Sequence, residues 1–169
     1  MLELNTERLR IVALDVENYG LFLYEHGQML RNLGVTVTTE DIDENFAKMF
    51  VESYKQAKKD PINYVWYTNW QIILKSKNLI IGGLCFKGHP DENGYVEIGY
   101  GMDPNYLNNG YMTETLNVVI NWALAHEAVK GVIAETEKDN IPSQKVLAKN
   151  GMEKYKETND CYWWLINKQ

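Results

Sequence analysis

The sequence from Val96 to Leu116, VEIGYGMDPNYLNNGYMTETL, changes its periodicity part of the way along. Its first residues alternate between apolar side chains and polar or small ones, which is typical of a strand. From Leu116 onward the apolar residues recur at offsets of three, four, seven and eight, which places them on one face of a helix. The intervening segment 103–110 is rich in Asn, Pro and Gly, which favour turns. The stretch therefore predicts a strand, a short polar loop and a helix.

The junction between this loop and the helix has the chemistry of an anion site. The first amides of a helix lack intrahelical partners and lie at the positive end of the helix dipole, so a phosphate satisfies several donors at once. We expect these donors to be the amides of Gly110, Tyr111, Met112 and Thr113, with the Thr113 hydroxyl in addition. The alternative interpretation is an ordinary loop that leads into a helix.

The chain before this stretch predicts two helices between strands. Alternation predicts a strand at residues 8–14, and periodicity predicts a helix from Val16 to about Leu33. Thr38 or Thr39 is a suitable cap for a second helix, which ends at residues 55–61. Its apolar stripe consists of Ile42, Phe46, Met49, Phe50 and Tyr54. Strands at 64–74 and 79–86 then lead through turns into the strand that begins at Tyr95, which predicts an antiparallel meander.

The chain after the central helix predicts a crossover. The segment 131–136 is too short and too β-branched for a helix, so we expect a strand. Because the chain reaches this strand by a crossover, it should lie parallel to the strand that begins at Tyr95. Pro142 and Gly151 bracket a short helix over residues 141–150, because Pro suits a first helical turn and Gly suits a helix end. The aromatic tail predicts one or two final strands.

Length, composition and charge narrow the class of protein. The chain has 169 residues, of which 45% are hydrophobic, and this predicts one domain with a sizeable core. The formal net charge of −6, with Lys and Arg scattered along the chain, disfavours a nucleic-acid partner. No apolar run approaches the roughly 18 to 20 residues that cross a bilayer, and the N-terminus lacks a signal-peptide pattern. We therefore expect a cytoplasmic protein without a membrane partner.

Cysteine and histidine spacing does not indicate a metal site. Cys85 and Cys161 lie far apart without C-x-x-C spacing, so we interpret both as packing residues. His26, His89 and His126 are isolated from one another and from the cysteines. The sequence thus predicts no bound metal.

The loop and its flanking strand resemble a known family. Residues Tyr106–Glu114, preceded by Glu97–Tyr100, are similar to the coenzyme-A-binding segment of the GCN5-related N-acetyltransferases (GNAT). The similarity is closest to the branch that resembles the acetyltransferases of ribosomal-protein N-termini. The family's loop has Gln or Arg, then Gly three residues later, then Gly or Ala two residues after that. Here Gly110 matches, whereas Leu107 and Met112 depart from the pattern.

Further elements follow in the family's order. They are Phe86-Lys87-Gly88, Ala134-Glu135-Thr136, Asn140 with Ser143, and the run Leu147–Met152. The resemblance extends roughly from Arg8 to Ile166. It implies one N-acetyltransferase domain over residues 1–169, of the α/β (α+β) class, with a mixed, mostly antiparallel sheet of about six to seven strands and about four helices.

The resemblance also implies a cofactor site. In the family, the strands that here begin at Tyr95 and Gly131 splay apart, and the thioester and pantetheine of acetyl-CoA enter the gap. The implied cofactor-binding residues are Tyr100, Gly101, Met102, Leu107, Asn108, Asn109, Gly110, Tyr111, Met112, Thr113, Asn140 and Ser143. Asn140 has a second, compatible interpretation as a helix cap.

Acetyl transfer to an amine needs a base for the amine proton and a group that assists the departing thiolate. Glu97 is our candidate base, directly or through water; the alternative is a solvated strand carboxylate. The family often places a general-acid Tyr four residues before the closing Gly, where this chain has Leu147. We assign to Ser143 the role of assisting the departing thiolate. The alternative interpretation is a serine in the first turn of a helix whose hydroxyl bonds its own backbone.

These residues together predict an N-acetyltransferase that moves an acetyl group from acetyl-CoA to a primary amine in a ternary complex. The acceptor, a protein N-terminus or a small-molecule amine, stays open. A non-catalytic acyl-CoA-binding or sensing module is the alternative, and a partner-binding domain is a third. The aromatic tail also allows a homodimer through paired sheet edges.

Overall fold

The structure is a computed structural model that describes residues 1–38 and 44–169. Over these residues it contains one eight-stranded sheet and five α-helices. The strands are β1 (Leu2–Asn5), β2 (Leu9–Ala13), β3 (Asn69–Leu74), β4 (Leu79–Phe86), β5 (Tyr95–Met102), β6 (Gly131–Glu137), β7 (Glu153–Glu157) and β8 (Cys161–Asn167). The helices are α1 (Val16–Tyr24), α2 (His26–Asn32), α3 (Glu44–Lys59), α4 (Tyr111–Ala125) and α5 (Ile141–Lys149).

The sheet has the order β1-β2-β3-β4-β5-β6-β8-β7. Every neighbouring pair is antiparallel except β5 and β6, which are parallel and joined by the α4 crossover. The predicted class, a mixed and mostly antiparallel sheet with flanking helices, is confirmed. The meander of β3, β4 and β5 and the parallel pairing of β6 are also as predicted.

The parallel pair β5 and β6 separates after three residue pairs. Tyr95, Val96 and Glu97 pair with Gly131, Val132 and Ile133. Beyond this point, among the described residues, β5 continues to Met102 and pairs only with β4, while β6 continues to Glu137 and pairs only with β8. The facing edges of two central strands are therefore open, and their backbone groups are free to bond a ligand.

Helices cover both faces of the sheet. On one face, Val96 and Ile98 of β5 pack in a core cluster with α4 residues, which include Leu116 and Val119, both fully buried. On the other face, a second cluster joins Ile73 of β3 to α1 and α2. Each such aliphatic side chain contributes roughly 1.5–3 kcal/mol by its burial. The first of these clusters, which contains Val96 and Leu116, holds the start of α4 beside the open end of β5.

The number of helices and the number of strands differ from the prediction. The predicted helix from Val16 to about Leu33 is two helices, because Glu25 leaves the helical conformation, with φ −144° and ψ 56°. This break lets both Phe22 of α1 and Met29 of α2 enter the same core cluster. The additional strand is β1, which pairs with β2 at the sheet edge and has only half its residues partly buried.

The strand predicted from residue 64 begins later than expected. Tyr64–Trp66 form a 3₁₀ turn, and β3 starts at Asn69. The Trp70 indole N–H donates to the Val65 carbonyl, five residues earlier, at 3.0 Å, and this hydrogen bond favours the turn over a continuous strand. The predicted first turn of α3, including Thr39 and Ile42, lies outside the described residues. None of the helices in the described ranges is long and apolar enough to span a bilayer.

Candidate active site

A cavity of about 370 Å³ lies where the open end of β5 meets the starts of α4 and α5. Eleven of the twelve residues predicted to bind the cofactor line it; the exception is Asn109. Its lining comprises Tyr100, Gly101, Met102, Tyr106, Leu107, Asn108, Gly110, Tyr111, Met112, Thr113, Asn140, Pro142, Ser143, Lys145, Val146 and Lys149. A shallower groove of about 540 Å³ continues from Gly110, Thr113 and Lys149 along the outside of α4.

The loop that enters α4 is held in a bent conformation by its own residues. Asn108 and Gly110 both have left-handed backbone conformations, with φ 62° and 77°. The Asn109 side-chain amide donates to the carbonyls of Tyr106 and Leu107, at 3.2 and 2.8 Å. Asn109 therefore lies behind the loop and shapes it from outside the cavity.

The start of α4 presents unpaired amides to the cavity. The first hydrogen bond of the helix is donated by Glu114 N to Gly110 O, at 3.0 Å. The amides of Tyr111, Met112 and Thr113 precede this bond and so have no helical partner. Met112, which departs from the family's loop pattern, is only 8% exposed and packs in the core, so its bulk is removed from the loop surface. Leu107, the other departure, is 49% exposed.

Ser143 and Tyr100 form a hydroxyl pair in the cavity wall. Tyr100 Oη and Ser143 Oγ are 2.5 Å apart, and either atom can be the donor. Burial raises the pKa of Tyr100 to about 12, with the Ser143 hydrogen bond acting in the opposite direction. Asn140 caps α5 by accepting from Ser143 N at 3.1 Å, which fixes the backbone that carries the Ser143 hydroxyl. Tyr100 is therefore a neutral phenol beside the predicted thiol-side residue.

Glu97 lies on the opposite face of β5 from Tyr100, since the two are an odd number of residues apart on one strand. It occupies the last pair before β5 and β6 separate, and its side chain is 19% exposed. One oxygen of the Glu97 carboxylate forms an ion pair with Lys87, the residue that follows β4. Beyond it, the same face of β5 carries only Gly99 and Gly101, and an added Cβ at Gly101 would meet none of the described residues within 4 Å. The gap thus has Glu97 on one face and the hydroxyl pair on the other.

The sequence interpretation missed the cationic side of the cavity. Lys145 and Lys149 lie one turn apart on α5 and both line the cavity. The i, i+4 spacing of Lys145 and Lys149 is visible in the sequence and indicates that the two lysines share one face of this helix. Leu147, at the family's usual Tyr position, is fully buried in the core.

Two further predictions concern side chains outside the cavity. Cys85 and Cys161 are both free thiols of intermediate burial. Burial raises the pKa of Cys85, which favours the unreactive thiol form. Across residues 1–38 and 44–169, no group of three or more His, Cys, Asp or Glu side chains is arranged to hold a metal ion.

Comparison with known proteins identifies relatives over the whole length of the chain. The sequence profile of the acetyltransferase (GNAT) domain matches residues 8–153. The uncharacterized N-acetyltransferase YjdG of Bacillus subtilis is 30% identical over 169 residues, which covers 99% of this chain and 100% of that protein.

Solved structures share the fold at low sequence identity. The ribosomal-protein-S5-alanine acetyltransferase of Vibrio fischeri superposes with a TM-score of 0.68 at 16% identity, covering 99% of this chain and 97% of the other. RimL, a ribosomal L7/L12 α-N-protein acetyltransferase solved in complex with coenzyme A, gives 0.69 at 15% identity and 98% coverage of both chains. A family profile that spans most of the chain agrees with a full-length relative, so the chain belongs to the GNAT acetyltransferase family and is an acyltransferase.

Proposed function

We propose that residues 1–169 form one N-acetyltransferase domain that transfers acetyl from acetyl-CoA to a primary amine by direct attack in a ternary complex. The observation that carries this proposal is the separation of β5 and β6 after Glu97 and Ile133. This separation leaves an opening in the sheet. The unpaired amides of α4 lie on one face of the opening, and the Glu97 carboxylate lies on the other. A donor and an acceptor entering from opposite faces would meet there.

The cavity residues suit the coenzyme's chemistry. The amides of Tyr111, Met112 and Thr113 would hold the pyrophosphate, as anions bind at helix N-termini. Lys145 and Lys149 would supply positive charge beside it in a chain whose net charge is −6. The open edge of β5 at Tyr100, Gly101 and Met102 would bond the amide groups of the pantetheine arm. Coenzyme A bound in RimL supports this assignment by fold analogy.

Glu97 would take the proton of the attacking amine, directly or through water. A primary amine is largely protonated near neutral pH, so the reaction needs such a base. Lys87 holds one Glu97 oxygen by an ion pair, which leaves the other oxygen for the acceptor side. The open space at Gly101, on the same face of β5, would give the acceptor room near the carboxylate.

Ser143 would donate a hydrogen bond to the coenzyme sulfur as the thiolate departs. Tyr100 would donate in turn to Ser143 Oγ, which polarises the Ser143 hydroxyl. Because the pKa of Tyr100 is raised to about 12, this phenol keeps its proton and acts by hydrogen bonding instead of net proton transfer. The pair would replace the Tyr that the family usually places at the Leu147 position.

The acceptor class stays a prediction, as do the cytoplasmic location and a homodimer through sheet edges. The names of the structural neighbours favour a protein α-amino group as the first acceptor to test. A small-molecule amine is the other class.

A calorimetric titration with acetyl-CoA, followed by an amine screen that detects free thiol, tests the proposal. Binding by the native protein that Gly110→Glu abolishes, together with thiol release in the presence of an amine, is the expected result. Binding without turnover of any amine would favour a non-catalytic acyl-CoA-binding module instead. Absence of binding to the native protein would refute the cofactor site.

Glu97→Gln then tests the base. We expect a large loss of turnover between about pH 6 and about pH 9, on the order of a hundredfold. The matched control is Glu153→Gln, which neutralises an exposed carboxylate on the edge strand β7, away from the gap. Turnover of Glu97→Gln equal to that of the control across this range would remove Glu97 from the mechanism.

A further inference from the structure

The turn between β1 and β2 reaches the first turn of α4 and encloses one carboxylate there. Thr6 Oγ1 donates to Glu114 Oε1 at 2.5 Å, and the Arg8 amide donates to the same oxygen at 3.2 Å. The Arg8 guanidinium binds the other oxygen, with Nε and Nη2 each 2.6 Å from Glu114 Oε2. Two residues near the N-terminus therefore hold the carboxylate of a residue more than 100 positions away.

Arg8 also contacts Asn109 and Tyr111 at the entry to α4, and lies beside the Gly110 between them. Its Nη1 donates to the Asn109 carbonyl at 3.0 Å. Its guanidinium carbon lies 4.5 Å from the centre of the Tyr111 ring. A Cβ built on Gly110 would be 3.5 Å from its Nη2. Arg8 itself does not line the 370 Å³ cavity, so it supports this loop from behind.

The Asn109 contact bears on the direction of the neighbouring amides. The Asn109 carbonyl and the Gly110 N–H belong to one planar peptide group and point in opposite directions. An arginine that holds this carbonyl on the back of the loop therefore turns the Gly110 amide toward the front, where the cavity lies.

Arg8 also neutralises a negative charge beside the anion site. Desolvation acts to raise the pKa of Glu114, but hydrogen bonds from Thr6 and Arg8 outweigh it and the pKa is lowered. Glu114 is thus ionised at neutral pH, within the first helical turn where a phosphate is expected to bind. Without Arg8, this carboxylate would repel the phosphate, and no other cation in the part of the chain that the structure describes forms an ion pair with it.

We propose that Arg8 is a positioning residue for coenzyme binding: it orients the loop amides toward the pyrophosphate and cancels the Glu114 charge. This inference rests on the proposed function, because the ligand is the same coenzyme. It adds to the site a residue from the opposite end of the chain that never touches the ligand.

The test is calorimetric titration of CoA into the native protein, Arg8→Met and the control Arg10→Met. Arg10 lies two residues further along the chain, in β2, and pairs with Glu3 at 3.1 Å, away from the loop. We expect Arg8→Met to weaken CoA binding roughly tenfold, through misdirected loop amides and an unpaired Glu114 charge, with unchanged stoichiometry. Arg10→Met should bind as the native protein does. A purely structural role would instead lower the stoichiometry at an unchanged dissociation constant, and that result would overturn the proposal.

Two further variants separate geometry from charge. Arg8→Met combined with Glu114→Gln should recover part of the lost affinity, because the unpaired carboxylate is gone. Arg8→Lys keeps the positive charge but cannot reach Glu114 and Asn109 together, so it should bind CoA roughly threefold or more weakly than the native protein. If Arg8→Met does not fold, Arg8→Lys decides: native affinity in that variant would overturn the proposal. Failure of the native protein to bind CoA would instead refute the proposed function.

Discussion

The hydroxyl pair of Tyr100 and Ser143 can be dissected by removing each hydroxyl alone and then both. The two oxygens are 2.5 Å apart in a partly buried wall of the cavity. If Ser143 faces the coenzyme sulfur and Tyr100 acts only through Ser143, the two deletions are coupled. The variants are Tyr100→Phe, Ser143→Ala and the double variant.

The expected magnitudes follow from the two roles. Tyr100→Phe removes one neutral hydrogen bond, worth roughly 0.5–1.5 kcal/mol, and so slows turnover about two- to tenfold. Ser143→Ala removes the donor to the departing thiolate and should slow turnover on the order of a hundredfold. The double variant should be no slower than Ser143→Ala, because Tyr100 has no other route to the reaction.

The pH dependence provides an independent check. Burial raises the pKa of Tyr100 to about 12, so its phenol is neutral throughout the working range. The ratio of native to Tyr100→Phe turnover should therefore be constant from about pH 6 to about pH 9. A ratio that changes within this range would mean that the phenol ionises during the reaction.

The assay is thiol release from acetyl-CoA with the amine found in the screen, under saturating acetyl-CoA. Tyr64→Phe is the matched control, because it removes a tyrosine hydroxyl whose partner, the Leu2 amide, lies at the edge of the sheet. It should leave turnover unchanged. Independent, multiplicative losses from Tyr100→Phe and Ser143→Ala would refute the reasoning, since they would show that Tyr100 acts without Ser143.

Two further predictions concern the start of α4. Gly110→Ala should destabilise the protein by about 1–2 kcal/mol, because φ is 77° there, and should also weaken CoA binding. Gly34→Ala, at φ 65° with no described residue within 4 Å of an added Cβ, should show the stability loss alone, and equal CoA affinities in the two variants would contradict this. The lowered pKa of Glu114 means that its stabilisation is present above its ordinary value of 4.5 and is lost as the pH falls through its folded-state pKa. The difference in unfolding free energy between the native protein and Glu114→Gln, measured by denaturant titration, should therefore shrink from about pH 7 to about pH 3, and a constant difference would contradict it.

Sequence patterns predicted much of the local structure because the forces that decide it act over a few residues. The strand, loop and helix at 95–125, the parallel strand β6 and the Asn140-capped helix α5 were all predicted. Alternation, helical periodicity and cap chemistry are visible in any short window. The break at Glu25 and the turn at Tyr64 were missed because no local pattern marks them: the break accompanies packing of both α1 and α2 in one core cluster, and the turn places the Val65 carbonyl where it accepts the Trp70 indole N–H.

The same distinction applies to the candidate site: some of its features follow from the local sequence, and others follow only from tertiary contacts. The sequence alone determined which residues form the loop before α4, which helix amides are unpaired and which hydroxyl begins α5. Only the tertiary structure joined Arg8 to Glu114, 106 positions away, and Tyr100 to Ser143, 43 positions away. It also located the end of β5–β6 pairing at Glu97, which no local pattern marks. These contacts depend on the order and register of the sheet, and those are properties of the packed chain as a whole.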